Sequence, residues 1–403
     1  MCIRDSNNMH DAIEQSRATR WATLVCYGSM TGIAISVNLV PVYLTTFSEV
    51  FGGPAGLTEE QLGRIPAVVF AATVVGILIS GPLADRWGAK RFAMLGNALT
   101  VVGLCMLAVS LSYGMLLAAG AVMGLGGGVL DMILSPIVCA LHPHRRGRIL
   151  NWLHSFYCIG ALGTVLAASA ALRFGVPWRV LALGISIVPV FVLVGFAPLA
   201  LPPLVHESAT RTRVAWLFRE PFFLAALLAI GLCGATEQGM SQWLPAYAER
   251  TLGYSKAVGG LALAGFSIGM IIGRVTAGYF AHHARPRTIM LAGCTGCVLG
   301  YGAACFAPLE AAALAGCVAI GFTVSCLWPT ALGVAADRFP HGGASMFGLM
   351  TAAGNIGCFA MPWIIGVIAH HLTLRIGLAA VTLCPLLLAG LVLALTAPPP
   401  SAD

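Results

Sequence analysis

Two acidic residues, Asp131 and Glu237, lie inside long apolar stretches, where ionisable side chains are unusual. They are the only two of the fifteen Asp and Glu residues that lie well within such stretches. An ionised carboxylate at the centre of a membrane costs roughly 2.5–3.5 kcal/mol on insertion scales, so it persists where a partner, a cavity or a function holds it. A carboxyl group in that setting can load and release a proton. We therefore predict Asp131 and Glu237, with His154 as a third candidate, as proton-coupling residues.

Amide, imidazole and indole side chains recur in the same apolar stretches and predict a binding pocket. Amides and acids hydrogen-bond hydroxyl groups, whereas an indole ring packs on the nonpolar face of a sugar. Such a pocket suits a small polyhydroxylated solute. The candidate substrate-binding residues are Asn38, Asn151, His154, Gln238, Gln242, Trp243, Trp328 and Asn355.

The composition indicates a protein surrounded largely by lipid. Of 403 residues, 58% are hydrophobic and 9% are charged, against roughly 25% charged in soluble domains. A helix needs about 20 apolar residues to cross a bilayer, and the chain lacks the alternation that is typical of transmembrane barrels. We predict an all-α polytopic membrane protein with spans at residues 20–47, 62–84, 91–112, 114–141, 148–173, 177–200, 222–250, 258–281, 288–307, 311–337, 343–369 and 373–396.

The basic residues predict the orientation of these spans. On the predicted map, sixteen of the 22 Lys and Arg residues fall on the side of the chain ends, and six fall on the other side. Basic residues favour the cytoplasmic side of a membrane. We therefore expect a multi-pass protein of the plasma (inner) membrane with both termini in the cytoplasm. The net charge of +7 then reflects topology and implies no nucleic-acid partner.

Motifs recur half a chain apart and predict two similar halves. Gly76 and Gly81 recur as Gly273 and Gly278, and Ile159-Gly160 recurs as Ile356-Gly357; at the same offset Asp131 matches Trp328. We predict an N-terminal tail (1–19), a six-helix bundle (20–200), a linker (201–221), a second six-helix bundle (222–396) and a C-terminal tail (397–403). Such repeats are common in transporters. Residues 1–8 are polar and differ in composition from the rest of the chain, and Met9 offers an alternative start.

The loop GPLADRWGAKR, from Gly81 to Arg91, joins two predicted spans. It resembles the loop between the second and third helices of major facilitator superfamily transporters. The resemblance implies two pseudo-symmetric bundles of six helices around a central cavity, and a lock between the bundles in the outward-open state. The residues it assigns to that lock are Gly81, Asp85, Arg86, Gly88, Lys90 and Arg91, with Gly273, Arg274 and Gly278 in the second half.

Further strings resemble the fucose-permease-like branch of that superfamily. Gly124 to Pro143 is similar to its helix 4, with Asp131 at the acid and Pro136 at the proline; the strings beginning at Asn151 and Gly234 are similar to its helices 5 and 7. This implies proton-coupled import of a monosaccharide. The chain departs from the branch in helix 1, where Asn38 is the only amide and no acid occurs. The alternatives are coupling through Asp131, alone or together with Glu237 or His154, and transport without protons.

Two other transport functions remain open from the sequence. An exporter of amphipathic compounds or metabolites predicts an apolar, aromatic-lined cavity. An organic-anion transporter needs a cation near the membrane midplane, and we expect no Lys or Arg well inside a span. We find no nucleotide-binding loop, nucleophile elbow or metal-ligand spacing. The expected protein is a monomeric transporter without enzyme activity, cofactor or metal, whose partners are a small molecule, protons and the bilayer.

Overall fold

A computed structural model of the chain describes residues 2–143, 145–201, 214–280, 283–339 and 343–395. Within these ranges the regular structure is helical, with one short 3₁₀ turn at Gly53–Ala55. The α-helices α1 to α17 are, in order, Cys2–Val42, Leu44–Phe51, Glu59–Trp87, Ala89–Ala108, Tyr113–Leu141, Arg146–Arg173, Trp178–Ile185, Ile187–Phe196, Val214–Leu217, Pro221–Arg250, Lys256–Phe280, Pro286–Phe306, Glu310–Val324, Leu327–Arg338, Gly343–His371, Leu374–Ala380 and Leu383–Leu395.

Twelve helical stretches of the described ranges are long and apolar enough to cross a membrane. This confirms the predicted number of spans and the all-α membrane fold. Nine stretches belong to single helices, while three are pairs that break near the middle: α7 with α8, α13 with α14, and α16 with α17. The short helices α2 and α9 lie outside these spans.

The ends of the predicted domains differ in part from the structure. Helix α1 begins at Cys2, so residues 2–19, predicted as a tail, continue the first helix. It ends at Val42 and not at residue 47, next to Pro41, which has no N–H to donate to a helical hydrogen bond. Most of the predicted linker (202–213) and the predicted C-terminal tail lie outside the described residues.

The two halves share a hydrophobic core on one side of the molecule and have separate cores on the other. Because the number of spans is even, both chain ends lie on one side, which we name the terminal face; the other side is the opposite face. The largest core contains side chains of both halves, among them Phe47 and Trp243. Toward the terminal face, Leu134 belongs to a core of the first half alone and Met350 to a core of the second half alone.

Paired glycines of the two halves occupy equivalent helix crossings. A Cβ atom on Gly76 of α3 would lie 2.7 Å from the carbonyl oxygen of Leu125 in α5. On Gly273 of α11 it would lie 2.3 Å from the carbonyl oxygen of Phe322 in α13. In each half, glycine therefore allows the second span to approach the fourth at backbone distance.

Glycines also form the contact between α3 and α15, which belong to different halves. A Cβ atom on Gly63 would lie 2.6 Å from the carbonyl oxygen of Pro362, and one on Gly366 would lie 2.5 Å from that of Glu59. The Cα atoms of the two glycines face each other across the contact. The two bundles thus meet near the opposite face through backbone surfaces.

Candidate functional site

A cavity of about 1450 Å³ lies between the two bundles. Its lining extends from Leu150 and Ala284, near the helix ends at the terminal face, to Val37, five residues before the end of α1, and Phe70, near the middle of α3. Beyond these residues the shared core fills the space between the halves. The cavity is therefore open toward the terminal face and closed toward the opposite face.

Asp131 lines this cavity from α5. Two glycines of the same helix, Gly124 and Gly128, bring it against α3, since a Cβ on either would lie 2.1 Å from a carbonyl oxygen of that helix. The close contact fixes the rotation of α5 and directs Asp131 to the cavity. The Asp131 side chain is half-buried, and it forms no ion pair with any other side chain that the structure describes.

Glu237 and Gln238 line the cavity from α10. The Gln238 amide nitrogen donates to the Glu237 carboxylate at 3.1 Å, while the Gln238 carbonyl oxygen accepts hydrogen bonds from Ser241 and Gln242, each at 2.9 Å. Gln238 therefore holds Glu237 in place and has its own carbonyl oxygen satisfied. Glu237 is the more accessible of the two, being half-buried where Gln238 is buried.

Arg274 of α11 also lines the cavity, and the expectation that no basic side chain lies inside a span is wrong. The Nη1 atom of Arg274 donates to the Cys158 thiol at 3.2 Å, across the boundary between the bundles. Its buried Nε atom has no hydrogen-bond partner among the described residues. Arg274 was predicted as a lock residue of the second half. Its spacing from Ile271 and Gly278 places all three on the helix face that lines the cavity.

Three residues of α6 face Arg274 and Glu237 from the other bundle: His154, Tyr157 and Cys158, all of which line the cavity. Arg274 lies close enough to His154, Tyr157 and Cys158 to interact electrostatically with all three. Glu237 interacts in the same way with Tyr157. The sequence prediction included His154 and missed Tyr157 and Cys158 as site residues. Their spacing of three and four residues after His154 was the available signal, since it places all three on one side of the helix.

Trp328 and Asn355 line the cavity from the second bundle. The Trp328 indole lies over Gly354, where a Cβ would be 2.0 Å from the ring. Asp131 and Trp328, which match at the repeat offset, thus both reach the cavity, one from each bundle. The Asn355 amide nitrogen donates to the Thr351 carbonyl oxygen at 2.9 Å.

Three predicted pocket residues are not among the residues that line the cavity: Asn38, Gln242 and Trp243. The Trp243 indole is fully buried and donates to the Pro362 carbonyl oxygen at 2.9 Å, which joins α10 to α15. Gln242 is buried beneath Gln238. The Asn38 amide nitrogen donates to a carbonyl oxygen of its own helix at 2.9 Å. The side chain of Asn151, also predicted here, lies outside the described part.

The predicted lock residues lie around the turn between α3 and α4. Gly88 has φ of +87°, a backbone conformation that favours glycine, and it separates the two helices. Arg86 and Arg91 are exposed, and the Lys90 ammonium donates to the Ala197 carbonyl oxygen at 2.7 Å. The side chain of Asp85 lies outside the described part.

The other predicted lock glycines pack within their own bundle or face the cavity. Gly81 lies against Met132, and Gly273 lies against α13 and Ser325. Gly278 lines the cavity together with Arg274. None of the contacts described for Gly81, Gly273 and Gly278 joins the two bundles at the terminal face, which agrees with a cavity open on that side.

Ion pairs join the two bundles at the opposite face. The Lys256 ammonium lies 2.5 Å from the Glu49 carboxylate of the first half and 4.0 Å from the Glu249 carboxylate of its own half. Arg250 pairs with Glu59 at 3.2 Å, again across the boundary. These pairs reinforce the closed side of the cavity.

The chain shows sequence similarity along almost its whole length to one transporter family. A sequence profile of the Major Facilitator Superfamily matches residues 22–362 and 249–403. The chain belongs to the Major Facilitator Superfamily. It is therefore a transporter and not an enzyme, as predicted. No cluster of three His, Cys, Asp or Glu side chains suited to a metal ion occurs in the ranges that the structure covers.

Members with different substrates resemble this chain. It is 26% identical over 335 residues to the Mycobacterium tuberculosis protein described as probable nitrate/nitrite transporter NarK2, covering 77% of this chain and 80% of that protein. It is 22% identical over 330 residues to multidrug resistance protein 3 of Bacillus subtilis, covering 66% and 63%. The crystal structure of a D-xylose–proton symporter superposes with a TM-score of 0.74 at 15% identity, covering 91% of this chain and 96% of that one.

Proposed function

We propose that this transporter moves a small anion together with a proton into the cell by alternating access. The observation that carries the proposal is the Arg274 guanidinium in the central cavity. Of its five N–H donors, one contacts a thiol, a weak acceptor, and Nε has no partner among the described residues. A planar oxyanion, such as a carboxylate or nitrate, matches the paired donors of a guanidinium.

The acids around Arg274 support coupling to a proton. With Glu237 ionised, the pair of opposite charges is neutral, and a second anion beside Arg274 would leave a net negative charge in the site. A proton on Glu237 leaves Arg274 as the cation for the substrate. Anion and proton then enter together as a neutral combination, which lowers the cost of taking charge out of water. Asp131 and His154 are the other proposed proton carriers of the cavity.

The proposed orientation follows the basic residues. Both termini and the terminal face are cytoplasmic, in the plasma (inner) membrane, so the cavity opens inward. When the cavity closes on that side, the turn carrying Gly81, Asp85, Gly88 and Arg91 comes together with the second bundle and locks it. We propose a monomer, since the cavity is built within a single chain.

A neutral monosaccharide is the second candidate, as the resemblance to the fucose-permease-like branch implies. Trp328 and Asn355 favour it, because an aromatic ring and an amide both line the cavity. The sequence similarity to NarK2 supports an anionic substrate. The D-xylose–proton symporter supports a sugar substrate only through its similar fold. The charged lining by Asp131, Glu237 and Arg274 disfavours an exporter of amphipathic compounds, which would need an apolar cavity.

Uptake into proteoliposomes distinguishes these proposals. Purified protein is reconstituted with a pH-sensitive dye inside and offered radiolabelled nitrate, lactate or succinate, and separately D-xylose or L-fucose. We expect saturable uptake of an anion with proton influx. For Arg274→Gln we expect an increase in KM of about 10- to 150-fold, the equivalent of about 1.5–3 kcal/mol for a hydrogen bond to a charged group. Arg287→Gln, at an exposed position near the start of α12, is the matched control and leaves KM unchanged.

An unaltered KM in Arg274→Gln, or the absence of anion uptake by active protein, refutes the anion proposal. Uptake of a sugar in the same vesicles then supports the second candidate.

Asp131→Asn tests separately whether the proton must also pass through Asp131. We expect it to abolish accumulation driven by a pH gradient while sparing exchange of labelled for unlabelled substrate, because exchange needs no net proton movement. Full accumulation by Asp131→Asn would show that Asp131 does not carry the proton.

A further inference from the structure

A second cavity lies on the outer surface of the first bundle, away from the transport pathway. Helices α3 and α4 both pack extensively on α5 but make few contacts with each other. The groove between them has a volume of about 420 Å³, and Leu125 and Val129 of α5 form its floor. We name it the α3–α4 groove. Since α3 and α4 are membrane spans, the groove faces the lipid.

The walls of the α3–α4 groove are almost entirely hydrocarbon. They include Ile79 and Leu83 from α3 and Leu95 and Leu99 from α4. The Ile79 and Leu95 side chains are about half exposed, at 53% and 46%, so the groove is open along its length. The lining also contains the buried Ser80, whose hydroxyl donates to the Ile77 carbonyl oxygen at 3.4 Å, so this group needs no polar ligand at that depth.

The length of the groove matches one leaflet of a bilayer. Its lining on α3 runs from Gly76 to Trp87, which corresponds to about 16 Å at a rise of about 1.5 Å per residue. Half of a hydrocarbon core of about 30 Å is nearly the same length. A single acyl chain entering from the terminal face would therefore fill the groove from end to end.

The end of the groove at the terminal face is aromatic and basic. The Trp87 and Phe92 rings stack there, with centroids 6.3 Å apart and an interplanar angle of 14°. Arg91 lines the groove and is exposed, and the neighbouring Arg86 is also exposed. Lys90 is engaged with the Ala197 carbonyl oxygen. Tryptophan and arginine at this level are typical of the membrane–water interface, and exposed basic side chains there attract anionic headgroups.

We propose that the α3–α4 groove binds an anionic phospholipid, with one acyl chain between α3 and α4 and the phosphate at Arg91. When the acyl chain contacts the groove, it gives up equivalent contacts with other lipids. The acyl chain therefore positions the phospholipid but contributes little to selectivity between lipids. The headgroup provides selectivity. We expect phosphatidylglycerol to bind about fivefold more tightly than phosphatidylcholine, the equivalent of about 1 kcal/mol for a base near an anionic surface.

Native mass spectrometry of the full-length protein tests this site. The protein is titrated with phosphatidylglycerol and with phosphatidylcholine that carry the same acyl chains. Arg91→Gln is expected to remove the preference for phosphatidylglycerol while leaving phosphatidylcholine binding unchanged. Arg287→Gln, an exposed base in the matching region of the second bundle, is expected to keep the preference. Leu83→Trp, which fills the groove, is expected to weaken the binding of both lipids.

Equal affinity of the wild-type protein for the two lipids would overturn the proposal. So would equal losses in Arg91→Gln and Arg287→Gln, which would indicate diffuse attraction to the basic face. If Leu83→Trp does not fold, Leu95→Trp at a half-exposed position serves the same purpose. These measurements need no transported substrate, so their outcome is independent of the proposed function.

Discussion

Removing the Lys256 side chain charge should shift the transporter away from the conformation described above. Lys256 lies 2.5 Å from Glu49 and 4.0 Å from Glu249, and its side chain is 25% exposed. Ion pairs with this degree of exposure are worth up to about 1 kcal/mol. In Lys256→Gln the two carboxylates remain on the closed face without the cation between them. We therefore expect the ratio of opposite-face-closed to opposite-face-open molecules to fall about fivefold, the equivalent of about 1 kcal/mol.

Double electron–electron resonance between spin labels at Leu111 and Leu309 measures this ratio. Both positions are exposed, at 81% and 65%, in loops of different bundles on the opposite face. In Lys256→Gln, a larger fraction of molecules should show the longer distance between the two labels, which corresponds to an open opposite face. High salt should move the wild-type protein the same way by screening the ion pairs. Arg64→Gln is the matched control, because Arg64 pairs with Glu60 within α3 and so does not join the bundles.

A distance distribution in Lys256→Gln that equals that of the wild type and of Arg64→Gln would refute the reasoning. It would show that the shared hydrophobic core alone holds the opposite face closed.

Two substitutions test residues that we assign to structure. Trp243→Phe should lower the free energy of unfolding by about 1–3 kcal/mol, because the Pro362 carbonyl oxygen loses its donor, while KM for the transported substrate stays unchanged. Thermal unfolding in detergent and initial uptake rates measure the two effects. Gly357→Ala should destabilise by about 3 kcal/mol or more, because a Cβ would lie 1.9 Å from the Gly231 carbonyl oxygen. Gly163→Ala, with no atom within 4 Å of the added Cβ, is its control. A raised KM in Trp243→Phe, or equal stability of the two alanine variants, would contradict these assignments.

The membrane fold follows from the sequence because hydropathy and charge act over whole spans. Each apolar stretch must satisfy its backbone hydrogen bonds within a helix, so loops with several charges mark the span ends. Asp131 and Glu237 could be placed in the cavity for a related reason. An acid in a long apolar segment is costly unless it faces a polar space, and in a bundle of this size that space is the centre.

The positions of the Arg274 and Trp243 side chains could not be predicted from the hydropathy pattern of the sequence. Arg274 lies six residues from the end of α11, so hydropathy alone assigns it to the membrane surface. Its position in the cavity depends on the rotation of α11, which close glycine contacts with α13 determine. Trp243 lies five residues beyond Gln238 on α10, and the contact with Pro362 of α15 decides that it faces the protein interior. Such contacts join residues far apart in the sequence, 49 positions for Gly273 and Phe322 and 119 for Trp243 and Pro362, and leave no local signal.

The glycine contact between α3 and α15 bears on how fast the protein can cycle. Gly63 and Gly366 meet through Cα atoms, so no side chains interlock at this point of contact between the bundles. Parting and rejoining these surfaces requires no change of rotamer and releases or orders few side-chain degrees of freedom. The helices can slide over one another by small displacements without passing through a clash. The glycine contact therefore contributes little to the energy barrier for reorientation of the bundles. That barrier comes from the charged residues and the large side chains around them.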